Sequence, residues 1–349
     1  MDIAYTSTKS LSEGSRLSIL KLQSRLIKAQ QELSSGRLAD VGATLGGRTS
    51  ETVSLRQQFA RLTTLTETNA VVRTRLDISQ TTITSVISSA ENFVKTLIGA
   101  RDAEGGAGVS QSEAQADLVA FIDGLNTTVG GEFLFAGINS STKPLANYFA
   151  TPTSPGKAAV DAAFTTAFGT TQSDPANIAI SSSAMQTFLD TAFSSLFDDP
   201  AWSVNWSSAS ATNVTSRISS FEEVQSSANA SEAAFRKLAK AFTMIADLGV
   251  ENMNKATFGV VADTASRLAS EAIQGLTTIQ ARLGTASARV EAANIKMSLQ
   301  LDIINTQIDT LEKVDPFEAS ATVTTLLTQL EISYSLTARV QRQTILNFL

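Results

Sequence analysis

The chain has 349 residues, of which 43% are hydrophobic, 17% charged and 6% aromatic, and its formal net charge is -6. This apolar content can bury a sizeable core and excludes wholesale disorder, while the low charge leaves the surface to Ser, Thr, Asn, Gln and Ala. The chain contains no His and no Cys, which excludes Ser-His and thiolate catalysis, zinc sites of the usual nitrogen and sulfur kind, and disulfides.

The first residues, MDIAYTSTKSLSEGSRL, have neither the basic region nor the apolar run of a cleavable secretory signal. The longest apolar runs, such as Leu118 to Ile122, fall far short of the roughly 20 residues that span a bilayer. No membrane contact is therefore expected, and no nucleic-acid groove either, because no stripe of Lys and Arg is present to neutralise phosphates. Ile19, Leu22, Leu26, Ala29 and Leu33 then form a heptad stripe on a helix that should stop at Gly36, a residue suited to the left-handed position past a helix end.

From Leu62 to Leu97 the positions 62, 65, 69, 72, 76, 79, 83, 86, 90, 93 and 97 keep an unbroken 3-4 spacing, and only Asn69 and Ser79 are polar. A repeat of 3.5 held this long is a coiled-coil seam. A helix over 52–98 would be ~70 Å long. Asn69 either specifies register for a partner helix or simply interrupts an imperfect bundle. Ser110 and Glu113 have the spacing of a capping box, and Ser219 and Glu222 repeat it before Phe235, Leu238 and Phe242.

Between these segments the pattern breaks. Five of the six prolines lie between Pro144 and Pro200, among Gly, Ser, Thr and aromatic residues. Such density argues against long helices and predicts strands and loops. Trp202 and Trp206 are expected to pack within this insert, the alternative being that they anchor it to the rod or to a neighbouring subunit, and the insert is expected to stand as an independent lobe. The seam resumes at Leu276, Leu283, Val290, Asn294, Met297, Leu301, Ile304, Ile308 and Leu311. Asp315-Pro316-Phe317-Glu318 is a helix start with Asp as N-cap and Pro at the first helical position. Val323, Leu326, Leu327, Leu330 and Tyr334 line one face of that last helix, and the chain closes on Ile345, Phe348 and Leu349.

The expected fold is mainly α: an elongated antiparallel helical bundle or coiled-coil rod, both termini at its base, with a small β-rich or irregular insert at the tip. Its parts are a terminal helix over 1–45, half of the rod over 46–138, the insert over 139–215, the second half over 216–312 and a terminal helix over 313–349. Each terminal helix is marginal alone in water, and its obvious first partner is the other.

Three segments carry a resemblance. QQELSSGRL (30–38), GGEFLFAGINSSTKPL (130–145) and VDPFEASATVTTLLTQLEISYSLTARVQRQTILNFL (314–349) resemble segments of the flagellin superfamily of bacterial axial proteins. The second, with the proline-bearing insert after it, is similar to the hook–filament junction branch, in a form like that of alphaproteobacteria. After Gly36 the chain has ADVGATLGG in place of the Asn-Ser-x-x-Asp-Asp run usual in filament flagellins.

The resemblance implies a structural adaptor of the flagellum, extracellular, joining hook-associated protein 1 to flagellin in a ring of its own copies. It implies secretion through the flagellar type III export apparatus with an export chaperone. The assembly interface would be the terminal stripes: Ile19, Leu22, Leu26, Leu33, Val323, Leu326, Leu330, Tyr334, Ile345, Phe348 and Leu349. No cofactor, metal or catalytic residue is expected. The alternative is the filament subunit itself. A remoter one is a carboxylate enzyme using Asp198, Asp199, Glu222 and Glu223, which as adjacent acids usually belong to a solvated surface. The five Asn-x-Ser/Thr sequons and the Gly-rich turn at 104–108 are assigned no function.

Overall fold

The computed structural model describes residues 8–346, with side chains for 13–339. It resolves into two units, one built from the chain ends (1–64 and 297–349) and one from 65–296. The helices in chain order are α1 (Thr8–Ser35), α2 (Val41–Leu45), α3 (Thr49–Ala100), α4 (Gly106–Leu125), α5 (Pro155–Phe168), α6 (Ser182–Asp190), α7 (Ala192–Ser195), α8 (Ala201–Asn205), α9 (Ala233–Asp247), α10 (Lys255–Glu312) and α11 (Pro316–Leu346). Two antiparallel hairpins are the only sheets among the described residues: β1 (Thr128–Val129) with β2 (Glu132–Phe133), and β3 (Thr215–Arg217) with β4 (Glu223–Gln225). No described helix is long and apolar enough to cross a membrane.

Within the 65–296 unit, α3 and α10 run antiparallel and in step. Asn69 Nδ2 donates to Asn294 Oδ1 (2.8 Å), Gln280 Nε2 to Thr84 Oγ1 (2.8 Å), and Arg101 pairs with Asp263 (2.7 Å). The seam positions of α3 from Asn69 to Leu97 are all buried, as are Leu276, Leu283 and Val290 opposite. This is the predicted heptad seam. Asn69 also donates to the carbonyl of Ile218 (2.9 Å). It therefore ties both long helices to the β3–β4 hairpin, more than a polar interruption would do. Helix α9 forms the centre of the unit: Phe242 packs edge-on against Phe93 at 4.9 Å, and Phe235 meets Phe135 at 5.7 Å.

The structure corrects three expectations. Residues 139–215 form short helices, not strands, because their prolines sit where a helix tolerates them. Pro155 occupies the first turn of α5 behind the N-cap Ser154, and Pro175 opens a 3-10 turn behind Asp174. The insert is also fastened to the rest of its unit rather than standing free. Asn254 Nδ2 donates to the carbonyls of Ile178 and Ile180, both at 2.9 Å, and Tyr148 donates to Asp247 at 2.6 Å. Finally, neither capping box caps a helix. Ser110 lies one turn inside α4, bonded to the Gly106 carbonyl, since Gly105 in the left-handed region starts that helix. Ser219 and Glu222 close the turn of the β3–β4 hairpin, where the Ser219 amide donates to the Glu222 carbonyl.

Trp202 and Trp206 are buried and stack on each other at 5.6 Å, with Tyr148 stacked on Trp206 at 5.0 Å. They are the core of the insert, as expected. The GGEFLFAGINSSTKPL segment joins the insert's two ends: the Ser210 amide donates to the Ala136 carbonyl, and the Ile138 amide to the Thr212 carbonyl.

Candidate assembly interface

In the unit made by the chain ends, α1 and α11 pack antiparallel. The first helix stops where the sequence predicts: Gly36 has φ 67°, and its amide donates to the Glu32 carbonyl. The last starts as predicted, the Phe317 amide accepted by Asp315 Oδ1 at 2.8 Å. Between these points the backbone crosses over. The Leu38 amide donates to the Glu312 carbonyl and the Val314 amide to the Gly36 carbonyl, so Arg37 and Lys313 form an antiparallel bridge.

One carboxylate holds this crossing. The Glu312 side chain is 1% exposed and takes two bonds from the Arg56 guanidinium, 2.8 Å from Nε and 2.5 Å from Nη2. Arg37 stands 3.9 Å from Glu312 and bonds Asp309 at 2.6 Å. The Glu312 bonds raise the Arg56 pKa above its ordinary value against the opposing effect of burial. Asp40 caps α2 through the Ala43 amide and pairs with Lys28, and these contacts, the backbone bond foremost, hold its carboxyl below the usual range. Nothing in the spacing of the sequence singles out Glu312.

The predicted stripes meet across this helix pair. Ala29, Ala319 and Leu326 are buried, and Ile19, Leu22, Leu26, Val323 and Leu330 are half-buried. Leu33 and Tyr334 at the margins stay exposed, and Gln23 Nε2 donates to the Tyr334 hydroxyl at 2.8 Å. Much of the predicted surface is thus covered within one chain. The side chain of Ile345, and all of Phe348 and Leu349, lie outside the described residues.

A second stripe is not covered. Leu17, Leu20 and Ile27 on α1 are 60%, 49% and 64% exposed; on α11 Ile332 and Leu336 are 61% and 60% exposed, and Phe317 at its start 87%. At 100° per residue the α1 trio lies on the side of the helix opposite Leu22 and Leu26. Beside Phe317 is an open notch of about 660 Å³, lined by Asp309, Lys313, Val314 and Pro316 among others. The signal is present in the sequence, since Leu17, Leu20 and Ile27 keep heptad spacing among themselves beside the stronger stripe of Ile19, Leu22, Leu26 and Leu33.

Three of the four carboxylates of the enzyme alternative are in ion pairs: Glu222 with Arg289, Glu223 with Arg217 and Asp199 with Arg236. No group of three or more potential metal-ligating side chains occurs among the described residues.

No curated protein matches the chain by sequence. Among solved structures it is similar to a flagellar hook-associated protein from Vibrio parahaemolyticus, with a TM-score of 0.53 at 9% identity over 77% of this chain and 99% of that one. That likeness concerns the fold. Residues 6–140 match the N-terminal helical region of bacterial flagellin and residues 267–349 its C-terminal helical region. With both terminal regions of that family in their proper order, the chain belongs to the flagellin superfamily and is a structural protein of the bacterial flagellum.

Proposed function

We propose that this chain is a junction subunit of the hook-associated protein 3 type, joining hook-associated protein 1 to the first flagellin subunits. The observation that carries an assembly role is the outward apolar stripe of α1 and α11, which a lone chain leaves in water. Exposed apolar surface that is contiguous and polar-rimmed marks an interaction site. The junction rather than filament role is supported by the GGEFLFAGINSSTKPL segment and by the hook-associated fold neighbour.

Copies of the chain assemble in a ring through head-to-tail contacts, so that each presents two different faces. The interface comprises the outward residues together with the exposed margins Leu33 and Tyr334. The inner stripe, Leu22, Leu26, Val323, Leu326 and Leu330, holds the helix pair in the shape that is presented. The chain reaches this place through the flagellar type III export apparatus, accompanied by an export chaperone.

Deletion of the gene tests the reading. A junction subunit predicts hooks without filaments and flagellin shed into the medium; normal filaments on the deletion strain would overturn it, and hooks with no flagellin shed would assign the filament role instead. Complementation then separates the stripes. Leu20→Asp and Leu336→Asp, at exposed positions, should leave the melting of the isolated chain unchanged and abolish filament growth. Leu326→Asp should weaken the α1–α11 pair itself, because burying a charge costs several kcal/mol unless it is neutralised.

A further inference from the structure

Phe221 stands at the tip of the β3–β4 hairpin with its side chain wholly in water, 101% exposed. The hairpin that carries it is tied down on both strands. The Ile218 and Ser219 amides donate to the Glu222 carbonyl at 2.9 and 3.4 Å, and the Phe221 amide donates to Ser219 Oγ at 3.4 Å. Asn69 of α3 holds the Ile218 carbonyl at 2.9 Å, and Arg289 of α10 holds the Glu222 carboxylate at 2.9 Å. Its neighbours Ser219, Ser220 and Glu222 are polar. The ring is thus a single apolar knob in a fixed place, and none of the described residues covers it.

The same 65–296 unit has an apolar hole. It lies between α3 and α4, with a volume of about 90 Å³. Val86, Phe121 and Phe242 are its buried wall, and Ser85 and Ala120, both exposed, stand at its mouth. A closed apolar cavity of about 150 Å³ takes a benzene molecule, so an open hole of this size takes the leading part of a phenyl ring. Knob and hole cannot meet within one chain. Ser85 is 16 residues from Asn69, about 24 Å along α3. At 100° per residue it also faces away from the side of α3 on which Asn69 holds the hairpin.

A knob on one side and a hole on another, displaced along the helix axis, make a head-to-tail contact. Each copy offers its knob to one neighbour and its hole to the next, and the contact repeats. The area decides which occupant this suits. A phenyl ring buries about 150–250 Å², against the roughly 1,200 Å² or more of a stable pair of free proteins. Alone it holds no diffusing partner. Between copies already aligned through their terminal helices it demands little further ordering and recurs at every step. We infer that Phe221 of each subunit seats in the α3–α4 hole of a neighbouring copy and sets the axial step between them. The inference rests on the assembly reading above and adds to it the residue that fixes this register.

The chain has no Cys, so an engineered pair reports the contact directly. Ser220→Cys, beside the knob, and Ala120→Cys, at the mouth of the hole, are placed together in the full chain and expressed in the deletion strain. Its flagella are then treated with a short bis-maleimide. A ladder of dimers and higher multiples is expected, absent from either single variant, and a mixture of the two single variants should give dimers only. Ser220→Cys paired with Val109→Cys, 65% exposed near the start of α4, should give none. Phe221→Ala removes the knob and Ser85→Trp plugs the hole. Each, added to the cysteine pair, should leave the melting of the isolated chain unchanged and cut the ladder about tenfold or more, as loss of a buried aromatic anchor does. No ladder in flagella that contain the double variant, or a ladder undiminished by both Phe221→Ala and Ser85→Trp, would overturn the inference and leave the assembly reading standing. Absence of the wild-type chain from flagella would overturn that reading, and the inference with it.

Discussion

At the scale of single residues, two buried carboxylates act differently. Glu312 is almost fully buried, yet its partner Arg56 is half exposed, which moderates the strength of the pair. Glu312→Gln should lower stability by about 2 kcal/mol, since hydrogen bonds to charged groups are worth roughly 1.5–3 kcal/mol each and Gln retains part of the geometry. Urea denaturation followed by circular dichroism would measure it, and a loss below a few tenths would show that the crossing is held by its backbone bonds alone. Asp247 behaves otherwise. Burial pushes its pKa above the ordinary 3.8, against the lowering bonds from Lys157 and Tyr148. An acid raised in the folded state binds protons more readily there than in the unfolded chain. Its contribution to stability therefore declines as pH rises from the unfolded value through the folded one, and is recovered on acidification. Asp247→Asn should thus be neutral or stabilising at pH 7, with the difference from wild type vanishing as pH falls below the folded value. Denaturant midpoints between about pH 3.5 and 7 give the comparison, and a variant that is much less stable at pH 7 would refute it. Neither residue was legible in advance, because both depend on neighbours far away in the chain.

At the scale of elements, what was legible depended on how many residues carried the signal. The long helices were clear because the 3-4 spacing of α3 runs through eleven positions, so local exceptions such as Asn69 and Ser79 did not hide it. The ends of α1 and α11 were clear because Gly36 and Asp315-Pro316 have direct backbone consequences. Gly36→Ala tests that reading: at φ 67° an alanine should cost about 1 kcal/mol, and no change in the melt would mean that the turn accommodates a Cβ freely. The insert was misread because proline density measures where helices start as well as where they cannot continue. Pro155 and Pro175 are at starts. The Ser110–Glu113 and Ser219–Glu222 pairs show the same limit from the other side, for a four-residue pattern fits a helix interior or a hairpin turn as readily as a cap. The candidate interface was half legible: the heptad stripes were found, but which stripe faces water follows from how α1 meets α11, and no single helix encodes that.

At the scale of the whole chain, the division falls at 64/65 and 296/297, inside α3 and α10. A uniform heptad pattern has no mark where one set of partners gives way to another. The insert shows the converse, a compositional break without a break in packing. Arg236 and Lys240 of α9 bond Asp199 and Ser194, and Thr257 of α10 bonds the Ile180 carbonyl at 2.7 Å. Replacing 139–215 by a short Gly/Ser linker should therefore lower the melting midpoint and expose apolar surface to a hydrophobic dye, although closing a shorter loop costs little in entropy. An unchanged midpoint with no dye binding would restore the separable lobe.

The in-step pairing of α3 with α10 has a kinetic consequence. Helical proteins usually fold fast because their contacts are local, but here the register contacts join residues far apart in the chain, 225 positions for Asn69 with Asn294, 196 for Thr84 with Gln280 and 162 for Arg101 with Asp263. Search over such separations must come before the seam can close, and folding rates fall as contacts become less local. Refolding of this chain by stopped flow should accordingly be slower than that of short-loop bundles of similar helix content. A chain that zips up so late is one that stays threadable for longer.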